Sequence, residues 1–465
     1  MYQLKNMDDT IVAVSTAAGQ GGIGIVRLSG KDALPICDRI FQSVKANTKP
    51  SQLKSHTVNY GWVVDQKGER IDEVLLTIMR APKSYTKEDV VEISCHGGTI
   101  SLHSILTLAT EAGARLAEPG EFTKRAFING RIDLAQAEAV LDIIQSKTKA
   151  FLKVSTHQLK GELSTELESI RQDLMNIYIE MEAIVNFPED DVDSEGRQKL
   201  SGDIDKAKEK VDRLLSSSEH GRILKEGIKV VLCGKPNVGK SSLLNIFLKT
   251  PRAIVSEIAG TTRDTIEETA QIKGIPFQVI DTAGILTPRD KIEEEAVKRS
   301  HMHIQAADLV LFVLDGSEKI EEKDKSLMSS IKEQNILVVL NKADLPLVIK
   351  DEDVKNIFGP QAVVKVSALT KNGIELLEDA IVQKVWHEKT VDTHGVMVSN
   401  LRHITALKGC RDDLQKGRDD LLNNLSLEFI SEYVKQAVNG LDSITGRNID
   451  TDLLDNIFSQ FCIGK

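Results

Sequence analysis

No stretch of this 465-residue sequence approaches the ~18 consecutive apolar residues of a membrane-spanning helix. With 41% hydrophobic residues it reads as a soluble globular chain, long enough for about three domains. The N-terminal MYQLKNMDDT lacks the apolar core of a secretory signal, so a cytoplasmic location is expected. Cysteines are few and unpaired in pattern. Cys37, Cys95, Cys233, Cys410 and Cys462 form no CxxC and no metal-ligand spacing, which excludes a zinc ribbon or a disulfide framework and leaves reduced thiols. Positive charge is also short. At net −10 and a sequence pI of about 5.6, a polyanionic partner needs a local basic patch or a second protein, which argues against a dedicated nucleic-acid binder while leaving RNA open as a substrate.

What the chain does have is a phosphate loop. Gly234 to Ser241 reads GKPNVGKS, preceded by the apolar run Ile228 to Cys233 and followed by helix-like Ser242 to Leu248. In that context successive backbone N–H groups from Asn237, Val238 and Gly239 through Ser242 would cradle nucleotide phosphates. Lys240 would reach the β- and γ-phosphates, and the Ser241 hydroxyl would ligate Mg²⁺. Three further motifs follow in order, each at a predicted strand end. Asp281, Thr282, Ala283 and Gly284 (DTAG) suit water-mediated Mg²⁺ binding and γ-phosphate sensing. Asn341, Lys342, Ala343 and Asp344 (NKAD) offer a carboxylate for two guanine donors that adenine lacks, and Ser367, Ala368 and Leu369 (SAL) close the base pocket. Together they specify a GTP-binding domain. Ile285 stands where Ras-like GTPases carry a water-orienting Gln, so hydrolysis is either poor or served by other groups.

Around this domain the pattern changes. Residues 1–119 read as mixed α and β, with strands at Thr10–Val14, Ile23–Leu28, Val58–Val64 and Val74–Met79 and a helix at Thr99–Ala112. Gly19, Gly21 and Gly24 match a dinucleotide fingerprint, but a β-branched run follows them, so a tight turn is the expectation. Cys95 beside His96 is not a catalytic pair, since neighbours on a strand face opposite sides. From Leu134 to Ile184 apolar residues recur every three or four, predicting two helices broken near Lys160 and Gly161 and ended by Phe187 and Pro188. The acidic EDDVD that follows reads as solvated. A helix over Leu200–Leu215 precedes SSSEHG, read as a polar boundary. Residues 220–388 alternate strand and helix, predicting a mostly parallel sheet covered on both faces. From 389 to 465 helical periodicity returns. The expected architecture is multidomain, an α/β G domain inserted into a helical bundle (120–219 and 389–465) behind an N-terminal α+β domain.

Several blocks carry a resemblance: DTIVAVST, GGIGIVRLSG, the run from Glu118 to Ala139 (EPGEFTKRAFINGRIDLAQAEA), GKPNVGKSSLLN, IAGTTRD (Ile258 to Asp264) and the terminal CIGK (Cys462 to Lys465). Over its whole length the chain resembles the TrmE family of tRNA-modification GTPases. The resemblance implies a homodimer whose GTP hydrolysis is stimulated by K⁺ and by G-domain pairing, without an arginine finger. Asn237 would bind K⁺ through its side-chain oxygen, with Ser256, Ile258 and Thr261 supplying further oxygens. Ser256 is Thr in some relatives. Thr262 would join Ser241 on Mg²⁺, and Glu257, Ala259 and Gly260 would line the nucleotide. The water-orienting acid would be Glu293, with the register inside the run Glu293, Glu294, Glu295 left open. The N-terminal domain would bind a 5-formyl-tetrahydrofolate-type one-carbon donor at Arg27, Glu92 and Arg131 (Lys in some relatives), with Lys465 approaching from the C-terminus. Arg suits the glutamyl carboxylates, and Glu92 the pterin donors. Cys462 would serve the modification chemistry. With an FAD-containing partner, MnmG (GidA), such enzymes add an aminomethyl or carboxymethylaminomethyl group to C5 of the wobble uridine of certain tRNAs. The rival expectation is a non-catalytic regulatory or RNA-assembly GTPase switch.

Overall fold

The structure, a computed structural model, describes residues 8–17, 19–45, 48–186, 194–248, 268–281, 302–331, 334–358, 362–386 and 395–465. The chain divides into two compact units. One comprises Met1–Leu141, Leu159–Glu168 and Val438–Lys465; the other comprises Asp142–Gln158 and Ser169–Ala437.

The first unit is built on seven strands: β1 (Ile11–Val14), β2 (Gly21–Ser29), β3 (Phe41–Ser43), β4 (Thr57–Val64), β5 (Arg70–Met79), β6 (Val90–Gly97) and β7 (Arg115–Leu116). Their order is β3-β4-β5-β6-β2-β1-β7, antiparallel except for the β1–β7 pair. Alternation along the strands sends Val26, Leu28, Leu76, Ile78 and Ile93 to one face, where helices α1 (Ala33–Ile40) and α2 (Thr99–Glu111) cover them. The other face is open: Ile23 is 69% exposed, Val58 63%, Tyr60 48% and Leu75 46%. The turn expected at Gly19 to Gly24 ends sooner, at Gln20, because the later glycines are strand residues. A Cβ at Gly24 would lie 2.7 Å from Leu102, and one at Gly97 2.4 Å from the Gly21 carbonyl, so these glycines let β2, β6 and α2 approach closely. Helix α3 (Glu121–Ile128) packs through Ala126 against Leu454, Phe458 and Phe461 near the C-terminus.

Between α4 (Leu134–Gln145) and α6 (Glu162–Asn186) stands a separate α5 (Lys149–Leu159), so the predicted pair of helices is three. The expected break at Gly161 is present, with φ +88°. The extra one falls before Thr148, whose hydroxyl accepts the Phe151 N–H at 3.2 Å. The SSSEHG run expected as a boundary is largely helical: after α7 (Ser194–Ser216) comes α8 (Ser218–Glu226). Gly221 is there for closeness, since a Cβ would meet the Val398 carbonyl at 2.3 Å.

The second unit holds a six-stranded sheet of β8 (Ile228–Cys233), β9 (Glu268–Ile272), β10 (Ile275–Asp281), β11 (Leu309–Asp315), β12 (Ile336–Asn341) and β13 (Ala362–Lys365), ordered β13-β12-β11-β8-β10-β9. All neighbours are parallel except the β9–β10 hairpin. Its central strands are buried end to end, as a sheet covered on both faces requires. Leu232, Leu311 and Val339 meet α9 (Lys240–Leu248) on one side, and Phe151 of α5 joins that core. Phe312, Val338 and Leu340 meet α10 (Glu322–Ser330) and α11 (Asp351–Phe358) on the other. Helix α12 (Ile374–Trp386) completes the first layer. Helix α13 (Leu401–Leu422) lies along α7, with Arg418 Nε 2.7 Å from Asp205 Oδ1. Helices α14 (Leu427–Thr445) and α15 (Thr451–Ser459) end the fold. Among the described residues no helix is long and apolar enough to cross a membrane, and all five cysteines are free thiols.

Candidate functional site

The phosphate loop is shaped by what surrounds it. Gly234 leaves β8 with φ +150°, and a Cβ there would stand 2.3 Å from the Val313 carbonyl. Gly239 has φ +98°, and its Cβ would stand 2.1 Å from Asn341 Nδ2. Both positions demand glycine. Asn237, exposed at φ +66°, takes the left-handed conformation that Asn tolerates better than most residues. Val238 is buried. Lys240 opens α9 and is itself buried, its Nζ 2.9 Å from the Gly234 carbonyl and 2.8 Å from that of Lys235. Ser241 and Ser242 lie exposed in the first turn, where a hydroxyl and the helix N-terminus suit Mg²⁺ and phosphate.

At the base end, Asn341 is buried and spans two loops. Its Nδ2 donates to the Val238 carbonyl at 2.8 Å, and its Oδ1 accepts the Ala368 N–H at 3.0 Å. Asp344 is exposed, with Oδ1 receiving the Ser367 hydroxyl at 2.5 Å, which fixes the carboxylate that would read guanine. The Ala343 N–H bonds the Val366 carbonyl at 2.9 Å, and Leu369 is 83% exposed. Lys342, at φ +62°, is held by Asp315, Nζ to Oδ2 2.5 Å. Burial pushes the Asp315 carboxyl up, but the bonds from Lys342 and Ser317 outweigh it and hold it below the ordinary value. Asp281 ends β10 beside β8. Thr282, Ala283, Gly284 and Ile285, the switch residues Ser256, Glu257, Ile258, Ala259, Gly260, Thr261 and Thr262, the run Glu293 to Glu295 and the acidic EDDVD lie outside the described residues.

In the first unit the structure gathers Arg27, Glu92, Arg131 and the terminal tetrapeptide. Arg27 Nε donates to Glu92 Oε1 at 2.8 Å, and its NH1 to the Gly464 carbonyl at 3.1 Å. Its guanidinium stands 5.6 Å from the centre of the Phe122 ring, and Arg131 lies 4.8 Å over Tyr85. Gly464 is the residue this approach requires: its φ is +89°, and a Cβ would meet the Val14 carbonyl at 2.4 Å. The Lys465 carbonyl accepts the Phe122 N–H at 3.2 Å, and Cys462 is exposed.

Arg125, inside the block from Glu118 to Ala139, has no role that its sequence neighbours announce. It is fully buried beneath this site, 2.6 Å from Asp9 Oδ1 and 3.2 Å from Glu88 Oε2. Burial pushes Asp9 up, yet the bonds from Arg115 and Arg125 hold it below its ordinary value. Tyr85 was also missed; neither residue sits in a motif with local chemistry. On β6, Cys95 is buried with its thiol pushed up chiefly by burial, while His96 points outward to Asp72, as strand geometry requires.

The sheet, the phosphate loop and the Ala368 loop that Asn341 ties to it define a P-loop GTP-binding protein with a Ras-like G domain. Two family models match: the MnmE helical domain over residues 134–462 and the GTP-binding protein TrmE N-terminus over residues 10–131. The chain is 43% identical over 460 residues to the tRNA modification GTPase MnmE of Alkaliphilus metalliredigens, covering 99% of this chain and 100% of that protein. It is likewise 43% identical over 461 residues to that of Geobacter sulfurreducens, with 99% and 100% covered. The chain belongs to the MnmE (TrmE) family of tRNA modification GTPases and is a GTP hydrolase. Among solved structures it is similar to Aquifex aeolicus Era bound to GDP.AlF4- (29% identity, 40% of this chain and 66% of that chain, TM-score 0.29) and to the G domain of T. maritima FeoB (29%, 34% and 98%, TM-score 0.28); likeness at that level carries no further inference.

Proposed function

We propose that this GTPase is stimulated by K⁺ and acts as a homodimer with an FAD-containing partner to install an aminomethyl-type group on C5 of a tRNA wobble uridine. The observation that carries the reading is the meeting of Arg27, Glu92, Arg131 and Gly464 at Tyr85 and Phe122, a polar and aromatic site suited to a reduced folate. With Arg27 already on Glu92, the exposed Arg131 is the better partner for glutamyl carboxylates, and Glu92 is held as an acceptor for the pterin. Lys465 and the exposed Cys462 flank the same place. The open sheet face around Ile23, Tyr60 and Leu75 supports dimerisation in the 1–119 region, since contiguous exposed apolar surface favours a partner. In the G domain, the exposed side chain of Asn237 supports its role on K⁺, whose charge would do the work of an arginine finger.

Calorimetric titration of the full chain with 5-formyl-tetrahydrofolate tests the folate site. Binding is expected, weakened about tenfold or more in Glu92→Gln, with GTP turnover retained. No binding by the unaltered chain overturns the folate reading and leaves a GTPase switch. Loss of wobble-uridine modification in Cys462→Ser cells, with GTP hydrolysis intact, tests the chemistry separately.

A further inference from the structure

We propose that Lys235, the second residue of the phosphate loop, is a positioning residue for GTP hydrolysis, held by the buried carboxylate of Asp324 and acting through Lys240. The Lys235 ammonium stands 2.9 Å from Asp324 Oδ2 and 3.1 Å from Glu321 Oε2, and its side chain is only 16% exposed. Asp324 is fixed from its own side. It is the third residue of α10, and its Oδ2 accepts the Glu321 N–H at 2.9 Å in a reciprocal capping box. Its Oδ1 is buried without a hydrogen-bond partner among the described residues, so Lys235 carries the compensation of that charge.

The consequence runs back along the loop. Lys240 Nζ rests on two carbonyls, those of Gly234 and Lys235. The first is locked by the sheet, because Gly234 is pressed against Val313. The second belongs to a residue whose side chain is anchored in α10, so α10 sets where that carbonyl points. The reciprocal cap alone needs no charge at this position, since the neutral amide of Gln serves as the third-residue acceptor of a capping box. A buried ion pair is poor evidence of stability and better suited to fixing geometry. Here the geometry fixed is that of the ammonium reaching the β- and γ-phosphates, where small displacements cost rate more than binding.

Steady-state GTP hydrolysis and GDP affinity of the full chain test this, with each variant assayed well below its own Tm. Asp324→Asn and Lys235→Met are expected to lower kcat about tenfold, with KM and GDP affinity within about twofold of the unaltered chain. Lys235→Arg, which keeps the charge on Asp324, restores kcat. The double variant is no slower than either single one, because the two residues act as a unit. Unchanged kcat in the folded single variants overturns the proposal, as does a loss confined to KM. So does Lys235→Arg turning over as slowly as Lys235→Met. If Asp324→Asn does not fold, the comparison of Met with Arg at position 235 decides.

Discussion

The Asn341 side chain ties two loops together. Its amide joins the phosphate loop at Val238 to the base loop at Ala368. Truncating a buried group of this kind strands two partners, at about 1–3 kcal/mol each. Asn341→Ala should therefore weaken GTP and GDP alike, by about tenfold or more, in a fluorescent-nucleotide titration; loss of one nucleotide alone would contradict the tie. Gly239→Ala tests the same junction from the other side. Its methyl would collide with Asn341 Nδ2 on a backbone that disfavours side chains, so nucleotide binding should vanish while circular dichroism stays unchanged. Glycines and Lys240 were legible in the sequence because phosphate chemistry needs consecutive backbone amides. The role of Asn341 was not, because its partners lie 103 and 27 residues away.

The strand pair β5–β6 shows what one element imposes on its side chains. Asp72 takes a hydrogen bond from Ser101 and pairs with His96 Nδ1 at 2.6 Å. Burial pushes the Asp72 carboxyl up, but the bonds from Ser101 and His96 hold it below its usual value; the Asp72 bond and charge hold His96 above its own. The raised imidazole contributes stability in full below its unfolded pKa of about 6.5, and loses it as pH rises through the folded value. The lowered carboxyl contributes above about 3.9 and loses it as pH falls. The Tm difference between the unaltered chain and His96→Asn should thus be largest from about pH 4 to 6.5 and shrink above; a pH-independent difference would refute the pairing. Element types read well from periodicity, whereas their ends did not. The break before Thr148 has no Gly or Pro to announce it, and Gly221 resembles a breaker while serving close packing inside a helix. The parallel sheet was legible because its central strands are apolar throughout.

For the whole molecule, the proposed cation and dimer make one joint prediction. Turnover per chain should rise with protein concentration in K⁺ and stay low, by about tenfold or more, in Na⁺ at any concentration. Equal rates in the two salts would remove Asn237 from the role given it. Grouping Arg27, Glu92, Arg131 and Lys465 was an expectation drawn only from family motifs, since no spacing rule links such distant positions, and the contact of Arg27 with Gly464 was not among those expectations. That separation also has a bearing on biosynthesis. The Ser15 hydroxyl bonds the Gly464 carbonyl at 3.1 Å across 449 residues. At ~5–20 residues per second, a ribosome needs roughly 20–90 s between making the one and the other. The corner of the N-terminal sheet around Ser15 therefore waits on the emerging chain without the terminal tetrapeptide that bonds it. Newly made protein should pass through a stage in which nucleotide binding is complete and this corner of the first unit is not.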